Sequence, residues 1–235
     1  MFSFRKWSAK IMYDWRTGFA DLDGRWARFK AYFDLYWVDH GFLRAIYGNT
    51  YEIAPGVFRR SQPSPRDIRA FAAKGGKTII NLRGEGRGGP YVLEREACAA
   101  AGARMIDVRT SSRRLPAREI ILQLADLFDH AERPLLMHCK SGADRAGLAA
   151  GLYRLLNGGT LAQAKAELSW RYLHFSASPT GVLDQLFVAY AAFFASQPMP
   201  FRDWVETRYD PEAIAAQFEA NRWGVVFVDW ILRRE

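Results

Sequence analysis

One cysteine and one arginine in this chain stand at a spacing that can do chemistry. In His138-Cys139-Lys140-Ser141-Gly142-Ala143-Asp144-Arg145-Ala146-Gly147, five residues separate Cys139 from Arg145. A loop of that length can curl until the backbone N–H groups of residues 140–145 point at one centre. A helix beginning near Arg145 aims its N-terminus at the same place. The result is an anion site the size of a phosphate, lined by Lys140, Ser141, Gly142, Ala143, Asp144 and Arg145. The same field favours a thiolate over a thiol at Cys139, and a thiolate can attack phosphorus. Arg145 presents a planar fork able to hold two phosphate oxygens and the charge that develops on them. Gly142 removes a side chain where the backbone turns sharply. The competing reading, a buried cysteine that merely ends a strand, leaves Arg145 and the glycines unexplained.

The elements that must position this loop follow from the hydropathy pattern. Tyr51–Ala54 and Val57–Arg60 read as short strands around the Pro55-Gly56 turn. A helix is expected over Pro65–Ala73, and Lys77–Leu82 is a compact buried strand. Arg83–Pro90 (RGEGRGGP) is a glycine-rich loop that fits neither a Rossmann nor a Walker fingerprint. A helix over Tyr91–Ala101 leads to the strand Arg104–Val108 and a polar, basic loop, Thr110–Arg114. Pro116–His130 is helical, with Ile120, Ile121, Leu124, Leu127 and Phe128 on its apolar side. The buried strand Pro134–His138 delivers Cys139 at its carboxyl end, where open α/β sheets bind ligands. Helices then fill 145–157, 160–173 and 178–195, with a further one over Pro211–Ala220 and an apolar patch, WGVVFVDWIL, near the end. Strands alternating with helices imply an α/β fold with a central, mostly parallel sheet flanked by helices. The organisation read here is a helical N-terminal extension over 1–47, a core domain over 48–197 and a helical C-terminal extension over 198–235.

Composition narrows the function classes. Apolar residues make up 49% of the 235 and charged residues 25%, an ordinary globular balance. The formal net charge of +8 favours an anionic partner. The basic residues are interleaved with acids, which argues against a nucleic-acid-binding arm. Cys98 and Cys139 are the only cysteines, so no disulfide framework or cysteine-rich zinc site can be built, and sparse cysteine suits a reducing compartment. The start, MFSFRKWSAKIMYDW, lacks an apolar h-region, and the longest apolar run, Phe187–Ala195, is too short to span a bilayer. A soluble, cytoplasmic protein is expected. Residues 1–47, rich in aromatic and basic side chains, read as an amphipathic extension packed on the domain; the same composition suits a peripheral membrane contact.

HCKSGADRAG resembles the Cys-x5-Arg signature loop of the protein-tyrosine phosphatase superfamily. Upstream, GVFRRSQPSP followed by KTIINLRGE resembles the bacterial and atypical dual-specificity branch, in which an Arg-Ser-x-Gln-Pro-like element precedes a strand ending in Asn-Leu-Arg. This resemblance implies a phosphotyrosine-phosphatase-like fold and two-step hydrolysis through a phosphocysteine, with no metal or other cofactor. Cys139 would be the nucleophile, Arg145 the transition-state clamp, and the backbone of 140–145 the phosphate cradle. His138 would orient the cysteine loop, and Arg60, with Ser61, would be the supporting upstream element. The partners implied are a phosphorylated protein, with phosphotyrosine ahead of phosphoserine or phosphothreonine, or a phosphoinositide or inositol phosphate. Lys140 with Arg113 and Arg114 would suit a polyanionic head group. Cys98 reads as a core residue, the alternative being a resolving thiol for oxidised Cys139.

Two departures from the superfamily pattern bear on activity. The leaving group needs a proton, usually from an aspartate on a separate loop, but the loop RTSSRRLP carries no carboxylate. Asp107, 32 residues before Cys139 and at a plausible spacing for the dual-specificity branch, is one candidate acid, but it falls inside the strand before that loop. Asp144, in the signature loop, is the preferred acid, its competing role being an N-cap for the next helix. The second departure is Ala146, where most members carry Ser or Thr to help the thiolate leave. Both departures favour a third reading, a phosphate-binding pseudophosphatase, against which Cys139 and Arg145 stand. Loss of one hydrogen bond to a charged sulfur costs ~1.5–3 kcal/mol, or about tenfold to a hundredfold in rate. Rapid-quench kinetics are therefore expected to show a burst of product followed by slow turnover; a time course without a burst would contradict this.

Overall fold

The computed structural model describes residues 22–218; the apolar patch WGVVFVDWIL and the first part of the 1–47 extension lie outside that range. At the centre is a five-stranded sheet built from β1 (Tyr51–Ala54), β2 (Val57–Arg60), β3 (Thr78–Asn81), β4 (Arg104–Asp107) and β5 (Leu135–His138), in the order β1-β2-β5-β3-β4. β1 and β2 form an antiparallel hairpin, and all other pairings are parallel. β3 and β5 are buried along their whole length, as strands covered on both faces must be.

Helices cover both faces. On one, α5 (Arg118–His130) and α6 (Asp144–Leu156) pack Ile121, Leu124, Phe128, Leu148 and Leu152 against Val57, Ile80, Leu135 and Met137. On the other, α3 (Pro65–Ala73) and α4 (Gly89–Ala101) pack Ile68, Ala97 and Cys98 against Ile79 and Leu136. α3 opens with a full capping box between Ser64 and Asp67, which satisfies two otherwise orphaned N–H groups.

The N-terminal segment packs on α4. It comprises α1 (Gly24–Phe33), a π turn over Asp34–Val38 and α2 (Gly41–Tyr47). Ala31 and Leu35 meet Val92 and Leu93, and Gly89 lets the α1 backbone come so close that a Cβ there would strike the Ala31 carbonyl. Gly89 N donates to Asp34 Oδ2 at 2.7 Å.

Several elements differ from expectation for identifiable reasons. The helix expected over 160–173 stops as α7 (Leu161–Ala166). The Glu167 carbonyl, which a continuing helix would need, accepts from Arg59 NH1 at 2.7 Å. A single 3-10 turn, Trp170–Tyr172, follows and ends at Leu173 in the left-handed region (φ 65°). The helix expected over 178–195 begins as a 3-10 turn, Pro179–Leu183, before α8 (Asp184–Ser196). α5 starts at Arg118 rather than Pro116, because Ala117 is extended and the Pro116 carbonyl takes the Tyr209 hydroxyl at 2.8 Å. Past α8, α9 (Phe201–Thr207) places Phe201, Trp204 and Val205 in the main core beside Tyr190, and α10 (Pro211–Ala216) ends short of Ala220. Among the described residues no helix is long and apolar enough to cross a membrane.

Candidate active site

Cys139 follows the last residue of β5, and the loop after it runs directly into α6. The row of strand ends is continuous: Arg60, His138, Asn81 and Asp107 pair residue to residue across β2, β5, β3 and β4. The carboxyl edge of the sheet is thus a shelf, with the cysteine loop rising from its middle.

Every carbonyl from Lys140 to Ala143 is held from outside the loop. Lys140 O accepts from Gln62 N at 3.2 Å. Ser141 O accepts from Asn49 Nδ2 at 3.0 Å. Gly142 O and Ala143 O accept from Arg59 NH2 at 2.7 and 3.2 Å. A peptide plane points its N–H opposite to its C=O, so outward carbonyls turn the amides inward. Two of those amides are already in use, Gly142 N donating to Cys139 Sγ at 3.3 Å and Ala143 N to Ser141 Oγ at 3.4 Å. Gly142 has φ +75°, and a Cβ there would lie 2.7 Å from Ser61 N, so neither the conformation nor the space admits a side chain.

α6 receives no side-chain cap, since its N-cap is Ala143; its first N–H groups are open to an anion. Arg145, in the first turn, is 7% exposed. Among the described residues no carboxylate or carbonyl claims its guanidinium, in contrast to the equally buried Arg44 and Arg59. Ala146 is fully buried and presents no hydroxyl.

The supporting arginine is Arg59, not Arg60. Arg59 is wholly buried, donates to the Glu167 carbonyl and to Glu167 Oε2 at 2.8 Å, and lies 3.9 Å above the Tyr172 ring. Arg60 points to the other side of β2, where it pairs with Asp67 at 3.0 Å. Strand alternation carried this signal: Arg59 shares its face with the buried Val57.

His138 is fully buried, with Nε2 2.5 Å from Glu94 Oε1. From there a polar chain runs outward. Gln62 Nε2 donates to Glu94 Oε2 at 2.7 Å, Arg83 NH1 donates to Gln62 Oε1 at 2.8 Å, and Arg83 NH2 donates to Asp39 Oδ1 at 2.9 Å. Asp39, delivered by the N-terminal segment, also takes Arg44 NH2 at 2.9 Å and stands 3.5 Å from Lys140 Nζ. Burial alone would raise the Asp39 carboxyl, but Arg83, Arg44 and Lys140 hold it far below the usual carboxylate range. Lys140 is therefore tied to Asp39 rather than presented freely. Above the shelf, a cleft of about 550 Å³ is lined by Asp39, Gln62, Arg83, Tyr91 and Arg109.

The two candidate acids are differently placed. Asp144 is 3% exposed and does not cap α6; its Oδ1 accepts from His174 Nδ1 at 2.8 Å. His174 Nε2 donates to Asp184 Oδ2, also at 2.8 Å. Burial pulls His174 down, but the hydrogen bonds and negative charge of Asp144 and Asp184 outweigh it and push the imidazole up to about 9. Asp107 is the last residue of β4, so it does reach the carboxyl edge, two strands from β5 or about 10 Å. Its Oδ1 accepts from Asn81 and its Oδ2 from the Tyr91 hydroxyl. Cys98 is buried with Ile68 and Ile79 on the face of the sheet away from the Cys139 cluster. Burial, then the charge of Glu94, pushes its thiol up to about 12, which fits a core role.

A mostly parallel α/β sheet whose central strand feeds a Cys-x5-Arg loop into an uncapped helix is the arrangement found here in a chain whose family match places it among the DSP-PTPase phosphatases. Within that class the chain belongs to the PTP-NADK family, described as the DSP-PTPase phosphatase fused to NAD+ kinase, whose profile matches residues 48–179. The dual specificity protein phosphatase TpbA of Pseudomonas aeruginosa, from strains UCBPP-PA14 and PAO1, is 29% identical over 121 residues, 51% of this chain and 52% of the relative. The chain spans about half the length of the curated relatives it matches. The crystal structure of P. aeruginosa TpbA is 24% identical with a TM-score of 0.48, covering 61% of this chain and 91% of that one. The core catalytic domain of the PP-IP phosphatase SIW14 from S. cerevisiae, in complex with citrate, is 20% identical with a TM-score of 0.46, covering 72% and 89%.

Two outcomes follow from this geometry. Arg59→Ala removes the donor from a buried carboxylate and two loop carbonyls, and is expected to cost about 3–5 kcal/mol and to abolish phosphate-ester turnover. Arg60→Ala loses a partly exposed pair worth about 0–1 kcal/mol and should leave turnover close to that of the parent. Thermal unfolding and hydrolysis of the two variants check both. For His174, the folded-state value lies above the ordinary 6.5, so its contribution is fully present below pH about 6.5 and is lost as pH rises through about 9. Denaturant unfolding should show a fall on the order of 3 kcal/mol across that window, and His174→Gln should flatten it.

Proposed function

We propose that this protein hydrolyses phosphate monoesters through a phosphocysteine intermediate, with phosphotyrosine in proteins as its first substrate class. The observation that carries this reading is the unclaimed Arg145 guanidinium on the open N-terminus of α6, directly after a loop whose amides converge beside Cys139. The Cys139 thiolate attacks phosphorus in line; the P–S bond forms as the P–O bond to the leaving group breaks. Arg145 and the amides of 140–145 hold the non-bridging oxygens as their charge shifts. Water then attacks phosphorus and returns the sulfur as thiolate.

Asp144 serves as the acid that protonates the leaving oxygen, and as the base for the attacking water in the second step. Its position beside Arg145 in the first turn of α6 supports this, and the hydrogen bond from His174 fixes the orientation of its carboxyl group. Asp107, with both oxygens engaged by Asn81 and Tyr91, is better suited to fixing the end of β4. The two unpaired thiols fit a reducing, cytoplasmic setting, and the aromatic N-terminal segment beside the site supports work at a membrane face.

Turnover of a phosphotyrosine peptide, an activated aryl phosphate and a phosphoinositide panel, in chelator, tests the reading. Activity retained by Cys139→Ser would overturn it, and phosphopeptide binding without turnover would leave a binding module. Preference for a phosphoinositide would move the substrate class to lipid. Asp144→Asn is expected to lower kcat on the peptide by about 10²–10⁴ and far less on the aryl phosphate, whose leaving group needs no proton. Equal losses on both would assign Asp144 to structure rather than to acid catalysis.

A further inference from the structure

The N-terminal segment buries one side and exposes the wrong kind of residue on the other. Ala31 and Leu35 face the domain, while Trp26 (67% exposed), Phe29 (56%) and Trp37 (60%) line the outer ridge of α1 and its π turn. Their spacing keeps them on one face of a helix. Trp26 stacks on Phe29 at 5.3 Å, and Trp37 stacks on Phe42 at 5.6 Å. Ile46, at the end of α2, is 85% exposed. From Trp26 to Trp37 the ridge extends about 17 Å, and at its end Trp37 meets Phe42 of α2. Isolated exposed apolar residues are ordinary, but a contiguous aromatic ridge marks a contact surface.

Charge identifies the contact. Between Gly24 and Tyr47 both acids, Asp34 and Asp39, are fully buried. The charged side chains at the surface there are Arg25, Arg28 and the half-buried Lys30; Arg28 pairs with the exposed Glu96 of α4, and Asp23 at the N-cap is an exposed acid beside them. Next to the ridge, a cleft of about 460 Å³ runs from Tyr36 and Ala45 to Arg44, Arg60, Asp67 and Arg66, with Arg44 paired to Asp39 and Arg60 to Asp67. Arg66 is exposed, and no described residue pairs with it. Aromatic side chains with a cationic border suit the boundary between acyl chains and anionic headgroups.

We propose that the ridge of Trp26, Phe29, Trp37, Phe42 and Ile46 docks this protein on anionic phospholipid bilayers, with the Arg66 cleft turned to the headgroups. Trp37 is separated from Asp39 only by Val38, and Asp39 reaches Lys140 in the cysteine loop. Docking therefore holds the phosphate site close to the membrane face. Bilayer binding is read without turnover, so it stands or falls separately from the phosphatase reading.

The test is flotation of the full chain with vesicles of phosphatidylcholine alone or mixed with phosphatidylglycerol. The parent should float with the mixed vesicles and bind pure phosphatidylcholine at least about tenfold more weakly, with added salt weakening the first. Trp26→Ser/Trp37→Ser and Arg25→Glu/Arg66→Glu should each lower partition by about tenfold or more, while turnover of a soluble aryl phosphate and the unfolding temperature stay at parental values. No flotation of the parent, equal binding to both vesicle types, or undiminished flotation of the tryptophan pair would overturn the proposal. So would a homodimer in light scattering that the tryptophan substitutions dissolve, since the ridge would then belong to a second copy.

Discussion

The direction of an amide is decided by what holds the carbonyl behind it, and in the cysteine loop that task falls chiefly to one buried guanidinium. Arg59 sits under the loop with its charge met by Glu167 and its ring neighbour Tyr172, and directs NH2 to the carbonyls of Gly142 and Ala143, while Nε has no partner among the described residues. Burying such a group is expensive unless its charge and donors are matched. The surrounding structure reads as the means of matching them. α7 ends where it does so that Glu167 can turn its carbonyl and carboxylate inward. The 3-10 turn after it sets Tyr172 against the guanidinium. Arg154 reaches the other Glu167 oxygen at 3.0 Å, leaving that carboxylate little freedom to leave Arg59.

A second set of charges ties the loop to the N-terminal segment. Asn49 bridges the Ser141 and Tyr172 carbonyls, and Asp39 gathers Arg44, Arg83 and Lys140. The chain Asp39–Arg83–Gln62–Glu94–His138 crosses from that segment to the carboxyl end of β5, next to Cys139. What reads in the sequence as an appendage is, in space, one wall of the site.

The parts of this arrangement that rest on local pattern were legible in advance. The β1–β2 hairpin and α3 have their expected limits, and β3, β4, β5, α4 and α6 lie within one or two residues of theirs. Alternation, turn chemistry and caps act over a few residues, and such signals survive without tertiary knowledge. Cys139, Gly142 and Arg145 stood out for the same reason, all lying within one loop. The rest depended on contacts distant in sequence. Nothing near Asp39 announces Lys140, and nothing near His174 announces Asp144. The break after Ala166 is imposed by Arg59, more than a hundred positions earlier. The motif points to Arg60 because it stands next to Ser61, whereas the pleat sends its neighbour Arg59 inward.

A cradle made from main-chain amides has a consequence for how such a chain can vary. The groups that would meet a phosphate belong to every amino acid alike, so exchanging Ser141 or Ala143 for another small residue alters the rim of the site without altering its donors. Gly142 has no such latitude, because its backbone and the Arg60–Ser61 peptide occupy the space a side chain would need. Lineages descended from this fold are thus free to redraw what surrounds an anion at this loop while the main-chain donors that would meet it stay fixed.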